Sequence, residues 1–152
     1  MSVVNNQFML AAIEQAKKAA LSDEVPVGAV LVLDDKIIAE GHNLTMFTND
    51  PTAHAEVVVI RDACRKQGNY RLPQCELYVT LEPCCMCAGA IMQARLKNVY
   101  FGAYDKKSGV ASSEFNLFND RRLNHQTICV GGIMADNSKR LLQNFFLKKR
   151  DV

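Results

Sequence analysis

The stretch TLEPCCMC, residues 80–87, places three cysteines within four positions, directly after a Glu-Pro pair. The run CELYVTL, residues 75–81, leads into it and predicts a short buried strand. Pro83 suits the first turn of a following helix, because its missing N–H would be unpaired there anyway. We expect this helix to run to about Arg95. The segment therefore predicts a strand–helix unit with thiols at its junction.

Outward from this unit, strand patterns alternate with helical ones. Residues 27–43, VGAVLVLDDKIIAEGHN, indicate two strands joined by a tight turn at Asp34-Asp35. NVYFGAY and TICVGGI indicate two more strands, the second of them weaker. Helices are predicted over residues 7–21, from Asp50-Pro51-Thr52 to Gln67, and in the closing SKRLLQNFFLKKR. This alternation predicts one α/β domain over residues 1–152, with helices on both faces of a sheet.

Composition indicates an ordinary soluble chain of 152 residues, 49% apolar and 22% charged. The N-terminus lacks the basic flank and apolar run of a signal peptide, and no apolar stretch approaches the ~20 residues that span a bilayer. We therefore expect a cytoplasmic protein, in which thiols stay reduced. The six cysteines are then metal ligands or core residues rather than disulfides; they are Cys64, Cys75, Cys84, Cys85, Cys87 and Cys129.

Cys84 and Cys87 are the two clustered cysteines that a helix would place side by side. Residues three apart share a helix face, whereas Cys85 is turned away by about 100°. A helix N-terminus also stabilises thiolates through its unpaired N–H groups. We therefore expect Cys84 and Cys87 to form the metal-binding pair.

A second motif, DPTAHAE at residues 50–56, supplies further candidates for a metal site. His54 and Glu56 stand at a helix start, where both side chains can reach a point beyond the helix end. With Cys84 and Cys87, His54 would give three zinc ligands and leave a fourth position for water, as in catalytic zinc sites. Because two thiolates and an imidazole leave Zn²⁺ formally neutral, the water needs a nearby base, and Glu56 is placed for that role.

Plainer interpretations exist for each motif taken alone. The C-x-x-C pair could be a redox couple, or part of a structural zinc site completed by Cys129. His54 could be a core histidine, and Glu56 a first-turn carboxylate that faces the helix dipole. The two motifs together, about 30 residues apart and each at a helix start, favour the catalytic site.

Charge is distributed unevenly, although the formal net charge is only +2. Residues 1–76 carry 7 basic and 10 acidic groups, net −3, whereas residues 77–152 carry 11 and 6, net +5. A basic half is typical of a surface that faces a polyanion, although many charged faces are simply solvated. At the end of the chain, Lys148, Lys149 and Arg150 are candidates for nucleic-acid backbone contacts; alternatively they only complement the dipole of the closing helix.

The combination H-x-E…P-C-x-x-C resembles the signature of the zinc-dependent nucleoside and nucleobase deaminases. Over roughly residues 8–150, further stretches resemble successive blocks of the bacterial tRNA-specific adenosine deaminases; they are EVPVGAVLV, DPTAHAE, NYRL, LYVTLEPCCMCAGAI, VYFGAYDKKSG and RLNH. The resemblance implies a cytidine deaminase-like three-layer α/β/α sandwich with a five-stranded mixed sheet. It also implies one Zn²⁺ per subunit and a homodimer. Cys85 departs from the family, which usually has an apolar residue there.

The resemblance further implies hydrolytic conversion of adenosine to inosine at the first anticodon position of tRNA, with Glu56 transferring protons. The implied zinc ligands are His54, Cys84 and Cys87. The implied substrate-binding positions are Val27, Asn43, Ala55 and Asp105, of which Asn43 hydrogen-bonds the flipped base and Asp105 approaches the substrate backbone.

Two other functions are weighed against this one. A deaminase of a free nucleobase such as guanine or cytosine is the nearest alternative, because guanine deaminases share stretches like GHN and DPTAHAEV. PVGAVLV, TLEPCxMCAGA, FGAYD and the basic second half favour the tRNA enzyme. A non-catalytic zinc module that binds RNA is the other, but such a module has no need for Glu56 beside an open coordination position.

Overall fold

The predicted strands form one sheet in the computed structural model, which describes residues 3–112 and 115–150. They are β1 (Gly28–Leu33), β2 (Lys36–His42), β3 (Glu76–Leu81), β4 (Asn98–Ala103) and β5 (Ile128–Val130). Their spatial order is β2-β1-β3-β4-β5. β1 runs antiparallel to both β2 and β3, whereas β3, β4 and β5 are mutually parallel. The mixed five-stranded sheet implied by the family resemblance is therefore confirmed.

Helices cover both faces of this sheet. They are α1 (Asn6–Leu21), α2 (Thr45–Thr48), α3 (Ala55–Gln67), α4 (Cys85–Gln93) and α5 (Ala135–Arg150), with a 3-10 turn at Leu117–Asn119. α1 and α5 pack on one face, and α3 and α4 on the other. None of the helices in the described part of the chain has the length and hydropathy needed to cross a membrane.

The two sides of β1 show how the sequence builds these layers. Ala29 and Leu31 face the core beneath α3 and α4, while Val30 and Val32 face the core beneath α1. All four are at most 1% exposed, so the strand is an unbroken apolar run rather than an alternating one. Burial of both faces accounts for this apolar run.

The β1–β2 turn has the geometry that its sequence predicts. Asp34 and Asp35 adopt φ angles of 50° and 60°. A two-residue hairpin turn whose backbone twist matches that of its strands requires positive φ at both central positions, and Asp tolerates this region better than most residues. The tight turn at Asp34-Asp35 is therefore confirmed.

Helix boundaries near the cysteines differ from the prediction. Pro83 lies outside α4, which begins at Cys85 with Cys84 as its extended N-cap. The backbone cannot turn helical earlier, because Cys84 bridges Gly109 and the Pro83 carbonyl accepts a hydrogen bond from the Val110 N–H. α4 ends at Gln93, and Arg95 has a φ of 62°, which is incompatible with continuing the helix.

The helix predicted from Asp50 also starts later, at Ala55. The Asp50 carboxylate accepts hydrogen bonds from the backbone N–H and the hydroxyl of Thr52, which closes a local turn in place of a helical one. The short helix α2 was not predicted. It depends on Glu24, a residue distant in sequence, whose carboxylate accepts hydrogen bonds from the first N–H groups of this helix.

Candidate active site

The N-termini of α3 and α4 meet at the site. His54 is the N-cap of α3 and Cys84 the N-cap of α4, both in extended conformation with ψ angles of 153° and 175°. An N-cap side chain often accepts a hydrogen bond from its own helix, but in the described structure neither residue does so. The imidazole and the thiol are therefore directed to each other instead.

His54, Cys84 and Cys87 form a donor set with the dimensions of a zinc site. The His54 Nδ1 atom lies 3.7 Å from the Cys84 Sγ atom and 3.5 Å from the Cys87 Sγ atom, and the three donors all lie within 4.8 Å of one another. Tetrahedral zinc, with bonds of about 2.3 Å to sulfur and about 2.0 Å to nitrogen, requires a nitrogen–sulfur separation of roughly 3.6 Å. Two thiols and an imidazole are also the donors that zinc prefers, so these residues fit the ion.

The other cysteines of the sequence take no part in this donor set. Cys85 is exposed as the first residue of α4, and Cys129 lies on β5. In residues 3–112 and 115–150, the only group of three or more side chains able to hold a metal is His54, Cys84 and Cys87. The described structure therefore offers no fourth protein ligand, which favours a catalytic over a structural zinc site.

Electrostatics within the donor set also favour a cation. Hydrogen bonds from Cys87 and His54 lower the pKa of the Cys84 thiol to about 4. The same hydrogen bond to Cys84, together with burial, raises the pKa of the Cys87 thiol, and the contact with Cys84 raises the pKa of the His54 ring. Cys87 and His54 thus keep their protons and direct them to the negatively charged sulfur of Cys84. A metal ion, which binds deprotonated thiolates and neutral imidazole, would replace these protons.

Glu56 lies in the first turn of α3, two residues after His54, and its side chain is only 4% exposed. Burial raises the pKa of this carboxyl to about 7, and the negative charge of Cys84 acts in the same direction. A group with a pKa near the working pH can both accept and donate a proton. Glu56 is therefore suited to proton transfer beside the donor set, and its burial distinguishes it from a first-turn carboxylate that is solvated.

Asn43, Val27 and Ala55 are joined by hydrogen bonds at the same end of the sheet. The Asn43 backbone N–H donates to the Val27 carbonyl at 3.1 Å, and its side-chain oxygen accepts from the Ala55 N–H at 2.8 Å. Asn43 thereby satisfies an N-terminal amide of α3 that the N-cap leaves free. The structure thus brings three of the four implied substrate-binding positions together, and one of them, Ala55, stands between His54 and Glu56 in the chain.

Asp105, the fourth position, follows β4 and, within the described ranges of the chain, is not hydrogen-bonded to the other three. One of its carboxylate oxygens accepts hydrogen bonds from the Lys107 and Ser108 backbone N–H groups. Its own backbone N–H donates to the Glu82 carboxylate at 2.9 Å. The Asp105 side chain therefore stabilises the turn of its own loop. The sequence pattern did not predict these hydrogen bonds.

The candidate backbone-binding residues end α5 and are all exposed. Lys149 has an internal partner: its ammonium group lies 2.7 Å from the Asp23 carboxylate and 5.6 Å from the centre of the Phe145 ring. Among the described residues, Lys148, Lys149 and Arg150 form no hydrogen bond or ion pair with the metal donor set.

Two buried glutamates near the site were not predicted from the sequence. Glu24 is 1% exposed and accepts hydrogen bonds from the Met46 and Phe47 N–H groups. Burial opposes its charge, but these hydrogen bonds hold the pKa of Glu24 below its usual value. Glu82, at 3% exposure, accepts hydrogen bonds from the Asp105 and Ala111 N–H groups. Their only signal in the sequence is a carboxylate shortly before a proline, since Glu82 directly precedes Pro83 and Glu24 lies two residues before Pro26.

Comparison with known proteins identifies a zinc-binding family, in agreement with the donor set of this site. The family model for the cytidine and deoxycytidylate deaminase zinc-binding region matches residues 3–103. The tRNA-specific adenosine deaminase of Haemophilus influenzae is 46% identical over 151 residues, which is 99% of this chain and 87% of that relative.

Among solved structures, a tRNA deaminase and a guanine deaminase have the same sequence identity to this chain but differ in coverage and TM-score. A structure from studies of A-to-I editing by tRNA:A34 deaminases at the wobble position aligns with a TM-score of 0.86 at 45% identity, covering 91% of this chain and 100% of that one. The guanine deaminase of Bacillus subtilis is also 45% identical, but it covers 67% of this chain and 66% of its own, with a TM-score of 0.64. The chain therefore belongs to the cytidine and deoxycytidylate deaminase family and, within it, to the tRNA-specific adenosine deaminases.

Proposed function

We propose that this protein converts adenosine to inosine at the first anticodon position of tRNA by hydrolytic deamination. One observation carries the proposal: the buried Glu56 carboxyl is hydrogen-bonded to the Cys87 thiol, within a set of an imidazole and two thiols that lie within 4.8 Å of one another. This arrangement supplies a proton-transfer group next to a three-ligand metal site. The chain acts as one deaminase domain, since all five strands belong to one sheet and both α1 and α5 pack on it.

The metal is zinc, one ion per subunit, held by His54, Cys84 and Cys87. When bound, the ion supplies the Lewis acidity that makes water a nucleophile at neutral pH. Glu56 accepts the proton of that water, and the oxygen adds to C6 of adenine. Glu56 delivers this proton to N1 of the ring, then takes the proton left on the added oxygen and passes it to the departing amino group, so that ammonia leaves and inosine remains.

Substrate is held by the cluster around Asn43. Because the Asn43 side-chain oxygen already accepts from the Ala55 N–H, its amide NH₂ is the end that donates to the flipped base. Val27, which is 5% exposed, gives this pocket an apolar wall, whereas the fully buried Ala55 acts through its N–H, which orients the Asn43 side chain. A base in an anticodon loop is partly unstacked already, so its extrusion costs less than from a duplex.

Basic residues beyond Asp105 bind the tRNA backbone. Lys106, Lys139 and Arg150 line one groove of about 780 Å³ between the loop after β4 and helix α5, together with Tyr104 and Phe146. Positive groups beside exposed aromatic rings are typical of surfaces that bind single-stranded RNA. Lys148 and Lys149 lie on another side of α5, where they border a second groove of about 510 Å³ with Ala20 and Asp23 and extend the basic surface in that direction. Asp105 approaches the substrate backbone from the loop after β4.

The protein forms a homodimer through the outer face of α4. Ala88 and Ile91 are 0% exposed and pack on the chain's own sheet, so only the opposite face is free for a partner. That face carries Met86 and Gly89, and a Cβ atom added at Gly89 would meet nothing within 4 Å. Small residues permit close helix approach. Light scattering at micromolar concentration should give twice the 16.9 kDa chain mass; a monomer would contradict this arrangement.

A single assay tests the proposed reaction against deamination of free bases. Purified protein is incubated with total tRNA and, separately, with guanine, adenine and cytosine, while inosine and ammonia are measured. We expect inosine in tRNA and no ammonia from the free bases; a chelator-treated sample provides the control. Ammonia from guanine without inosine in tRNA would establish the alternative function and contradict ours.

A further inference from the structure

Glu82 is a buried carboxylate with two backbone partners in one loop. Its Oε1 atom accepts from the Asp105 N–H at 2.9 Å, and its Oε2 atom accepts from the Ala111 N–H at 2.8 Å. The side chain is 3% exposed. A buried carboxylate is tolerated only when such hydrogen bonds replace its hydration, so the loop ends and the carboxylate depend on each other.

The loop of residues 105–111, which we call the clamp loop, is also attached to the segment that carries the zinc ligands. Gly109 pairs with Cys84, and the Val110 N–H donates to the Pro83 carbonyl at 3.1 Å. The contact at Gly109 leaves no space for a side chain, because a Cβ atom there would overlap the Glu82 carboxyl group. Glu82 therefore lies between the two ends of the clamp loop and against its middle.

We propose that Glu82 is a positioning residue that fixes the clamp loop, and with it Asp105, relative to Cys84. The inference rests on the proposed function, since it assigns Glu82 a role in presenting tRNA to the metal site. Both carboxylate oxygens are used, so a side chain with a single acceptor cannot hold both ends of the loop. Glu82 itself touches neither substrate nor the donor set in this role; it acts through Asp105 and Gly109.

Glu82→Gln is the informative substitution because it preserves size but replaces one acceptor oxygen with an NH₂ group. That NH₂ group would face a backbone N–H, so one end of the clamp loop would be released. We expect the KM for tRNA to rise on the order of tenfold, the effect of losing one hydrogen bond to a charged acceptor. The kcat should stay within about threefold and the zinc content should not change.

Glu24→Gln is the matched control. Glu24 is equally buried and also accepts from two backbone N–H groups, but those belong to Met46 and Phe47 of α2. Hydrogen exchange should therefore increase in residues 105–111 of the Glu82 variant and in residues 45–47 of the Glu24 variant. This exchange comparison does not depend on substrate. If wild-type protein makes no inosine in tRNA, the proposed function fails, while exchange still shows whether Glu82 holds the loop.

A double-mutant cycle separates positioning from general support of the fold. Asp105→Asn retains an acceptor oxygen for the Lys107 and Ser108 N–H groups but removes the charge. If Glu82 acts through Asp105, the KM increase of the double variant falls short of the product of the single increases. Gly109→Ala, which displaces Glu82 without altering its charge, should reproduce the KM effect if Glu82→Gln does not fold. An unchanged KM, lost zinc, or increases that multiply would overturn the proposal.

Discussion

The metal site and the end of α5 both carry dense functional patterns, but the chain constrains them differently. At the metal site, two helix N-termini bring His54, Cys84 and Cys87 within 4.8 Å of one another, and Cys87 is fully buried. At the end of α5, Lys148, Lys149 and Arg150 are exposed, and Lys149 pairs with Asp23. The mutual contacts of the three donors at two helix N-termini restrict the site residues to one arrangement, whereas an exposed lysine can exchange one partner for another. Substitutions should therefore have large effects at the site and graded ones on the helix.

The cysteine substitutions should give the largest effect. Cys84→Ser or Cys87→Ser removes a thiolate ligand, so we expect the metal content to fall well below one zinc per chain and activity to be lost. Cys85→Ser is the matched control on the same turn; because Cys85 is exposed and outside the donor set, it should retain zinc and most activity. Metal analysis and inosine formation provide the measurements. Zinc loss confined to the Cys85 variant would contradict the ligand assignment.

Glu56→Gln should come next, with an effect on turnover alone. The amide keeps the size of the side chain and, in its buried place, can no longer accept the proton of the water. General acid–base roles are typically worth about 10²–10⁴ in rate, so we expect kcat to fall by that factor. Zinc content, melting temperature and tRNA binding should match those of the wild type. A variant whose turnover remains within a few-fold of normal would exclude Glu56 as the proton carrier.

The two regions also differ in how much the sequence could predict. The strands, the Asp34-Asp35 turn and the pairing of Cys84 with Cys87 follow from local patterns, because period, turn chemistry and helix spacing are short-range properties. The start of α4 at Cys85 depends instead on the bridge between Cys84 and Gly109. Helix α2 depends on Glu24, about 20 residues earlier.

The ion pair of Lys149 illustrates the same limit at the surface. It joins residues 126 positions apart, and a local pattern cannot contain that information. Nothing in the sequence distinguished Lys149 from Lys148, and both were candidates for nucleic-acid backbone contacts. Only the packing of α5 next to the end of α1 distinguishes them. The sequence therefore predicted the side-chain contacts of the metal site more completely than those at the end of α5.

Neutralising the end of α5 should have an intermediate effect. In the variant Lys148→Gln, Lys149→Gln, Arg150→Gln, we expect a higher KM for tRNA and a weaker salt dependence, by roughly one slope unit for each phosphate that is no longer neutralised. Since Lys149 is engaged by Asp23, we expect a change of about two units rather than about three. Zinc content and melting temperature should barely change. An unchanged salt slope would mean that these residues only cap the helix.

Asp23→Asn should give the smallest effect, and in the opposite direction. The substitution releases Lys149 from its partner at 2.7 Å and removes a negative charge next to the proposed RNA surface. Exposed ion pairs contribute about 0–1 kcal/mol, so the free energy of unfolding should fall by no more than about 1 kcal/mol. The KM for tRNA should decrease by roughly twofold, because an interaction of that size is redirected to a phosphate. Asp62→Asn is the matched control, since it frees Lys66 of α3 from a similar exposed pair at 2.8 Å. If both variants lower the KM equally, the gain reflects net charge alone, and Lys149 has no particular contact with tRNA.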